Sequence, residues 1–363
     1  MSTSKKKLDR VENNIDNISP CRYIYPMPRN GAKFNRPKTR VDYLGEGGIF
    51  FRADCLDLLT NIRENSIDMA FADPPFNLGK EYDTDSFIDN WETEAYRNWC
   101  RAWLLELTRV LRPGGALFLY HWPKWLIDLG AWLNTLPAIE YKSWIALKMK
   151  SGFPIKGRLH PAHYGLLYYV KRGAKPTFNL VRHISPVCRH CGKLIRDYGG
   201  YRKKFNRFED ENGIPWIQVS DFWEDTRPAR QDKARQNQIN ELPLHIPERA
   251  ILIATNPGDV VLDCFAGGGS TLHAAQIHGR LWIGGDITDN LSALRRIATF
   301  FGTDEAYNLN ERLERCFTEN FNKSVIKAYS INKKNRSILE AGVIKDVSDS
   351  MTQYSIKSKV LGF

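Results

Sequence analysis

Asp73-Pro74-Pro75-Phe76 is a short motif with residue types that could perform chemistry, and it directly follows the apolar run 67–72. Its two prolines fix the backbone and remove N–H donors, so the corner presents acceptors. The Asp73 carboxylate and the Pro74 carbonyl can accept the two N–H bonds of an exocyclic amine, while Phe76 stacks on the ring that carries the amine. The motif therefore predicts a site for an amine nucleophile. The alternative interpretation is a proline turn with Asp73 as a cap.

A second motif is a glycine-rich turn between an apolar strand and a helix. The run 260–263 leads into Gly267-Gly268-Gly269, and Asp286 follows Gly267 by nineteen residues, at the end of the next apolar run. Glycines let a ligand approach the backbone, and an acid at this spacing can accept hydrogen bonds from a ribose diol. The pattern predicts a nucleoside-cofactor site. No lysine follows the glycines, which argues against a phosphate-binding Walker loop.

The elements that must position these motifs follow from apolar periodicity, which alternates between strands and helices in two blocks, 48–147 and 242–318. Such alternation is typical of α/β folds, in which ligands bind at the carboxyl ends of the strands. Arg112-Pro113-Gly114-Gly115 is predicted to stop a helix before a strand. The periodicity predicts strands at 49–53, 67–72, 116–121, 144–148, 164–170, 260–263 and 281–285. It predicts helices at 56–63, 91–111, 247–255, 271–278 and 290–301.

Between the blocks lies a basic segment, 171–240, that lacks periodicity and is not expected to contribute to the core. The whole chain carries a net charge of +11, and eleven Lys and Arg between 171 and 208 face a single acid, Asp197. Such one-signed charge, interleaved with aromatic residues, is typical of nucleic-acid binding, the alternative being a solvated loop. The candidate DNA-binding residues are Arg182, Arg189, Lys193, Arg196, Arg202, Lys203, Lys204 and Arg207.

The seven cysteines are odd in number and mostly isolated, which indicates reduced thiols and a cytoplasmic location. Cys188 and Cys191 form a Cys-x-x-Cys-Gly pattern that resembles half of a zinc knuckle. One such pair supplies two ligands, so we favour a metal-free turn and keep zinc as the alternative. No apolar run approaches the roughly 18 residues of a membrane span.

Together the two motifs resemble those of the amino-group DNA methyltransferases that use S-adenosylmethionine. The tetrad is similar to their (Asp/Asn/Ser)-Pro-Pro-aromatic motif, and Phe265-Ala266-Gly267-Gly268-Gly269 is similar to their Phe-x-Gly-x-Gly loop. The tetrad precedes the loop with a basic segment between them, as in the family's permuted beta arrangement. The similarity extends from about 48 to 300. It departs from the family at Cys264, where relatives usually have proline.

This resemblance implies a Rossmann-like α/β methyltransferase fold with a mixed, mostly parallel sheet, a circularly permuted motif order and an inserted target recognition region. It divides the chain into a basic leader (1–47), a catalytic half (48–170), the insert (171–240), a cofactor-binding half (241–320) and a basic tail (321–363). The implied catalytic residues are Asp73, Pro74, Pro75 and Phe76. The implied cofactor-binding residues are Asp54, Asp263, Phe265, Ala266, Gly267, Gly269, Ser270 and Asp286.

The activity that the resemblance implies is direct methyl transfer from S-adenosylmethionine to the exocyclic amine of a base flipped out of double-stranded DNA. Asp73 in the first position of the tetrad favours adenine N6, with cytosine N4 as the alternative. More distant alternatives are a non-catalytic DNA-binding module and a methyltransferase of RNA or protein amides. A cysteine-nucleophile C5 enzyme is disfavoured because the one Pro-Cys dipeptide of the sequence, Pro20-Cys21, lies outside both blocks that carry the motifs. The resemblance also allows a homodimer and a companion restriction endonuclease as partners in the cytoplasm, close to the nucleoid.

Overall fold

The structure is a computed structural model that describes one part of the chain. Its described residues are 39–45, 47–78, 90–148, 156–157, 159, 162–184, 190–191, 208–209, 215–224, 242–288, 293, 310–319 and 321.

A nine-stranded mixed sheet forms the centre of this described part. Its strands are β1 (Arg40–Leu44), β2 (Gly48–Arg52), β3 (Ile67–Ala72), β4 (Leu111–His121), β5 (Ile139–Lys148), β6 (His163–Lys171), β10 (Phe222–Trp223), β11 (Val260–Asp263) and β12 (Leu281–Asp286). They are ordered β1-β2-β12-β11-β3-β4-β6-β5-β10 in the sheet. The five neighbours from β2 to β4 run parallel to one another, whereas β6 is antiparallel to both β4 and β5.

Helices cover both faces of the sheet, so each side has its own apolar core. Along β3, Met69 and Phe71 belong to one core, whereas Ile67, Ala70 and Ala72 belong to the other. This burial on both faces explains why β3 is apolar except for Asp68. The helices of the Ile67 side are α1 (Cys55–Leu59), α2 (Thr93–Val110), α3 (Pro123–Leu133) and the short α6 (Glu311–Glu314). The helices of the Met69 side are α4 (His245–Ala254) and α5 (Ser270–Ile277).

The two halves of the sequence meet at the pairing of β3 with β11, where Met69 lies opposite Val261 and Ala70 opposite Leu262. The chain continues from β3 to β4 on one side and from β11 to β12 on the other. Both strands end at the same edge, so the pairing is a topological switch point, where ligands of α/β proteins bind. The predicted mixed, mostly parallel sheet is confirmed.

Most predicted elements occur within a few residues of their expected bounds, and the differences have local causes. The predicted turn at Arg112-Pro113-Gly114-Gly115 is a bulge inside β4, because Leu111 pairs with Ile67 and Ala116 with Met69. Gly114 has a φ of 79°, which allows the bulge. Helix α3 and strand β1 were not predicted. The helix predicted at 290–301 lies outside the described residues except for Ala293.

The basic segment contributes to the core, contrary to the prediction. Strand β10 lies within it and pairs with β5, and Trp223 is buried beneath the guanidinium of Arg249, 4.8 Å from the ring centroid. A separate three-stranded sheet, in the order β7-β9-β8, also belongs to this segment and consists of β7 (Arg182–Ile184), β8 (Phe208–Glu209) and β9 (Pro215–Gln218). Within the described residues, no helix has the length and apolarity that a membrane crossing requires.

Candidate functional site

The predicted catalytic tetrad lies at the carboxyl end of β3, directly beyond the buried strand. Asp73 is half-buried, and Pro74 is buried. The hydroxyls of Tyr120 and Tyr164 lie near the Asp73 carboxylate: burial first, and then the charge of Asp73, raises the pKa of both phenols. Both tyrosines therefore stay protonated at neutral pH. Among these three side chains Asp73 therefore carries the negative charge, and the two neutral hydroxyls lie near it. The carboxylate can accept a hydrogen bond from an amine.

Phe76 belongs to an aromatic cluster beside Asp73. The ring of His121 stacks on Phe76 at a centroid distance of 4.7 Å and an interplanar angle of 23°. Tyr120 and Tyr164 are tilted relative to Phe76, with centroids 5.7 and 6.1 Å away. One face of Phe76 is thus covered by His121, and a planar ligand would have to stack on the opposite face.

Hydrogen bonds hold the backbone of the tetrad from behind. The indole Nε1 of Trp125 donates to the carbonyl oxygen of Phe76 over 3.0 Å. The Tyr96 hydroxyl donates to the carbonyl oxygen of Pro75 and lies 2.7 Å from His121 Nε2. Helices α2 and α3 thereby fix the carbonyls of the second half of the motif.

The glycine loop after β11 needs the backbone freedom of its glycines. Gly267 and Gly269 have φ values of 48° and 76°, in the left-handed region that side chains disfavour. The loop is anchored by the hydrogen bond from Ala266 N to Gly285 O, at 2.9 Å. A Cβ on Gly267 would meet one atom within 4 Å, the carbonyl oxygen of Phe265. The described residues therefore leave open space above Gly267, as a bound ligand requires.

The Asp286 carboxylate connects the end of β12 to this loop. Its Oδ2 accepts from Gly267 N at 2.9 Å, and its Oδ1 accepts from the backbone N and hydroxyl of Thr288 at 2.8 and 2.6 Å. A carboxylate has about four acceptor positions. Three are occupied by donors from the described residues, which leaves Oδ2 one position for a hydroxyl. The half-buried carboxylate can thus both fix the loop and contact a ribose.

Two other predicted cofactor acids lie at the same edge and stabilise local turns. Asp263 is buried, and its Oδ1 accepts from Phe265 N at 2.9 Å; burial raises the pKa of this carboxyl to about 7. Asp54 is the N-cap of α1 and accepts from Leu56 N at 2.9 Å. Ser270 is also buried, and its hydroxyl donates to the carbonyl oxygen of Leu242. Direct contact of these side chains with a cofactor stays a prediction.

Phe265 joins the loop to the helix that supports the tetrad. Its ring makes edge contacts with Trp99 and Trp103 of α2, at centroid distances of 5.7 and 5.0 Å. Tyr96, which holds the Pro75 carbonyl, lies one turn before Trp99 on the same helix. One aromatic face of α2 therefore contacts both predicted motifs.

The structure thus brings the tetrad and all the predicted cofactor residues to one edge of the sheet. Of the predicted DNA-binding residues, Arg182 is described, and it is exposed at the start of β7. The others lie outside the described residues, as does Cys188, whereas Cys191 is exposed. The described residues contain no cluster of metal-ligating side chains.

Sequence reasoning missed the residues that surround the tetrad, namely Tyr96, Tyr120, His121 and Trp125. One signal was available: Tyr120 and His121 end an apolar run next to β3, so their position at the same sheet edge could have been inferred. No local pattern identifies Tyr96 or Trp125, because each reaches the tetrad from a helix whose docking depends on tertiary packing.

A family model described as DNA methylase, of the N6/N4 type, matches residues 67–295, well over half of the chain. The Type II methyltransferase M.BamHI of Bacillus amyloliquefaciens is 43% identical over 65% of this chain, which spans 54% of that relative's length. The Type II methyltransferase M.HpaI of Haemophilus parainfluenzae is 30% identical over 78% of this chain and 84% of its own.

Another relative is the DNA adenine methyltransferase YhdJ of Escherichia coli K12, 26% identical over 74% of this chain and 89% of its own length. Among solved structures, the cytosine-N4-specific PvuII DNA methyltransferase superposes with a TM-score of 0.52 at 16% identity, covering 82% of this chain and 95% of that one. This likeness supports the α/β methyltransferase fold.

Proposed function

This chain belongs to the DNA methylase family of N6 and N4 amino-group methyltransferases, and from that premise we propose that it methylates the exocyclic amine of a base in double-stranded DNA. The observation that carries the proposal is the meeting of Asp73 and the glycine loop at the ends of two paired strands. Sequence positions almost two hundred residues apart form one site, as a reaction between a base and a cofactor requires.

S-adenosylmethionine fits the glycine loop, and when bound it would supply an electrophilic methyl group. Gly267 leaves the space for a nucleoside, and Asp286 Oδ2 has an acceptor position for a ribose hydroxyl. Phe265 closes the loop against α2. These residues would hold the cofactor within reach of the neighbouring tetrad.

The tetrad would bind and orient the amine. Asp73 and the Pro74 carbonyl accept its two N–H bonds, which leaves the nitrogen lone pair free to attack. The nitrogen would become cationic as the N–C bond forms and the bond between the methyl group and sulfur breaks, the electron pair staying on sulfur. The carboxylate and carbonyl would stabilise this charge before the nitrogen loses a proton to water. The base would stack on the face of Phe76 opposite His121 after it leaves the duplex.

Adenine N6 is the amine that we propose, because the first position of the tetrad is aspartate, with cytosine N4 as the alternative. The named relatives include a DNA adenine methyltransferase, which supports the first choice. The insert 171–240 would contact the duplex through its basic residues, of which Arg182 is exposed. The names of two relatives are those of Type II methyltransferases, which supports action within a restriction-modification system, with a companion endonuclease and a homodimer as further partners to test.

A methyl-transfer assay tests the proposal with tritiated S-adenosylmethionine and, separately, duplex DNA, RNA and protein. We expect label in duplex DNA, and mass spectrometry of the released nucleosides identifies N6-methyladenine or N4-methylcytosine. Asp73→Ala should lower the rate at least 100-fold, since it removes charge stabilisation at the reacting nitrogen.

The matched control is Asp42→Ala on β1, whose carboxylate pairs with Arg40 at the far end of the sheet. Its rate should equal that of the wild type. Absence of label in DNA, or full activity of Asp73→Ala, would contradict the proposal. Detection of N4-methylcytosine instead of N6-methyladenine would show that cytosine N4 is the methylated amine.

A further inference from the structure

A chain of hydrogen bonds behind the tetrad has no role in the chemistry described so far. The backbone N–H of Trp122 donates to His121 Nδ1 over 2.7 Å, and His121 Nε2 lies 2.7 Å from the Tyr96 hydroxyl. That hydroxyl donates to the carbonyl oxygen of Pro75. The chain thus begins at the end of β4, crosses to α2 and ends on the backbone of the catalytic motif.

The partners determine where each proton lies. A backbone N–H can only donate, so His121 Nδ1 is an acceptor and carries no proton. The single proton of the neutral ring is then on Nε2 and is donated to the Tyr96 oxygen. The Tyr96 proton is in turn donated to Pro75. Complete burial of His121 agrees with this assignment, since it lowers the pKa of the imidazole to about 3.

We propose that Tyr96 and His121 are positioning residues that hold the Pro75–Phe76 peptide in the orientation needed for methyl transfer. This inference rests on the proposed function. Every donor and acceptor in the chain is matched, so the Pro75 carbonyl cannot rotate without leaving buried polar groups without a partner. The same His121 ring lies against Phe76 at 4.7 Å, so it supports both the backbone and the stacking ring.

The location of Tyr96 gives this support a particular consequence. Helix α2 carries Tyr96 against the tetrad and, one turn later, Trp99 against Phe265 of the glycine loop. Helix α2 therefore supports both the amine site and the cofactor loop, in addition to the pairing of β3 with β11. A displacement of about 1 Å between reacting groups can lower a rate 100-fold.

Tyr96→Phe tests the positioning role, because it removes the hydroxyl and keeps the ring. We expect kcat with saturating DNA and S-adenosylmethionine to fall about 10- to 100-fold. The Kd for S-adenosylmethionine should stay within twofold, since the glycine loop is unchanged. If the Tyr96 hydroxyl only stabilised the fold, Tyr96→Phe would lower the free energy of unfolding and would not lower kcat selectively.

Tyr169→Phe is the matched control. The Tyr169 hydroxyl is also buried and also has two partners, Gly130 O at 3.2 Å and Asn134 Oδ1 at 3.0 Å, but they belong to α3 and its C-cap. It should lose a similar amount of stability and keep the kcat of the wild type within twofold. An equal kcat for Tyr96→Phe and the wild type would overturn the proposal, as would an equal loss in both variants.

A second measurement needs neither activity nor a variant. Two-bond ¹H–¹⁵N correlation spectra of the ¹⁵N-labelled wild type should show His121 as the neutral tautomer with its proton on Nε2, unchanged from pH 5 to pH 8. The other tautomer, or titration in this range, would overturn the proposal. Failure of the wild type to methylate DNA would instead contradict the proposed function, and the tautomer would still decide whether the hydrogen-bond chain exists.

Discussion

Asp68 should be a large single contributor to stability, although it lies at the edge of the sheet opposite the site. Its buried carboxylate accepts from Val260 N at 2.8 Å and from Arg312 Nη2 at 3.0 Å, and it also pairs with Arg112 Nε. It therefore joins β3, β4, β11 and α6. Asp68→Ala removes all three contacts at once.

The expected loss follows from these contacts. Leaving the buried Val260 N–H without its acceptor costs about 1–3 kcal/mol. The two ion pairs contribute less to the free energy of unfolding than fully buried pairs would, because 28% of the Arg112 side chain and 45% of the Arg312 side chain are exposed. Water can therefore hydrate both guanidinium groups when the carboxylate is removed. Breaking a buried pair typically costs about 3–5 kcal/mol, so we expect a loss of about 3 kcal/mol. For a chain of this size the loss corresponds to a Tm decrease of roughly 4 °C.

Urea unfolding of the purified protein measures this loss. Asp128→Ala is the control, because Asp128 pairs with Arg97 at 2.6 Å and both side chains are about a quarter exposed. A pair of that kind contributes about 1 kcal/mol or less. The double variant Asp68→Ala/Arg312→Ala should be less destabilised than the sum of the single variants. Equal losses for Asp68→Ala and Asp128→Ala would refute the reasoning.

Two further variants probe the loop. Burial raises the pKa of Asp263 to about 7. Between about pH 4 and 7 the native state therefore keeps a proton on this carboxyl that the unfolded chain releases. The free energy of unfolding consequently falls as the pH rises through this range. Asp263→Asn should raise the free energy of unfolding at pH 8 by up to about 4 kcal/mol, because no buried carboxyl is then ionised. Urea unfolding at pH 5 and pH 8 measures this difference. The same pH dependence in the variant and the wild type would contradict the prediction. Gly269→Ala should cost about 2–3 kcal/mol, because it combines a φ of 76° with a Cβ 3.0 Å from that of Ala293. Gly258→Ala, with a φ of 85° and open space, should cost about 1 kcal/mol in the same assay, and equal losses would exclude the clash.

The sequence predicted those parts of the fold that have strong local patterns. Strand β3 has its predicted bounds, because a short, mainly apolar run is typical of a strand buried on both faces. Helix α3 was missed because Ile127 and Ala131 place apolar residues on its exposed face, which obscures the helical spacing of its buried residues. The bulge in β4 also lay beyond local reasoning, since it depends on how β4 pairs with β3.

The same division applies to the site. Asp73, Gly267 and Asp286 were predicted because their chemistry resides in short motifs at strand ends. Tyr96 and His121 were not, because their hydrogen bonds join residues 21 to 25 positions apart through the packing of α2. Local patterns therefore indicated which groups react, whereas the groups that hold them in place became visible in three dimensions.

The pairing of β3 with β11 also affects how the chain is made. Asp68 and Val260, which are hydrogen-bonded across this pairing, are 192 residues apart. At typical synthesis rates, β3 leaves the ribosome roughly 10 to 40 s before β11 exists. During this time one edge of an apolar strand has no native partner and can pair with other nascent chains. We expect holdase chaperones to raise the yield of this protein during translation rather than during refolding of the complete chain.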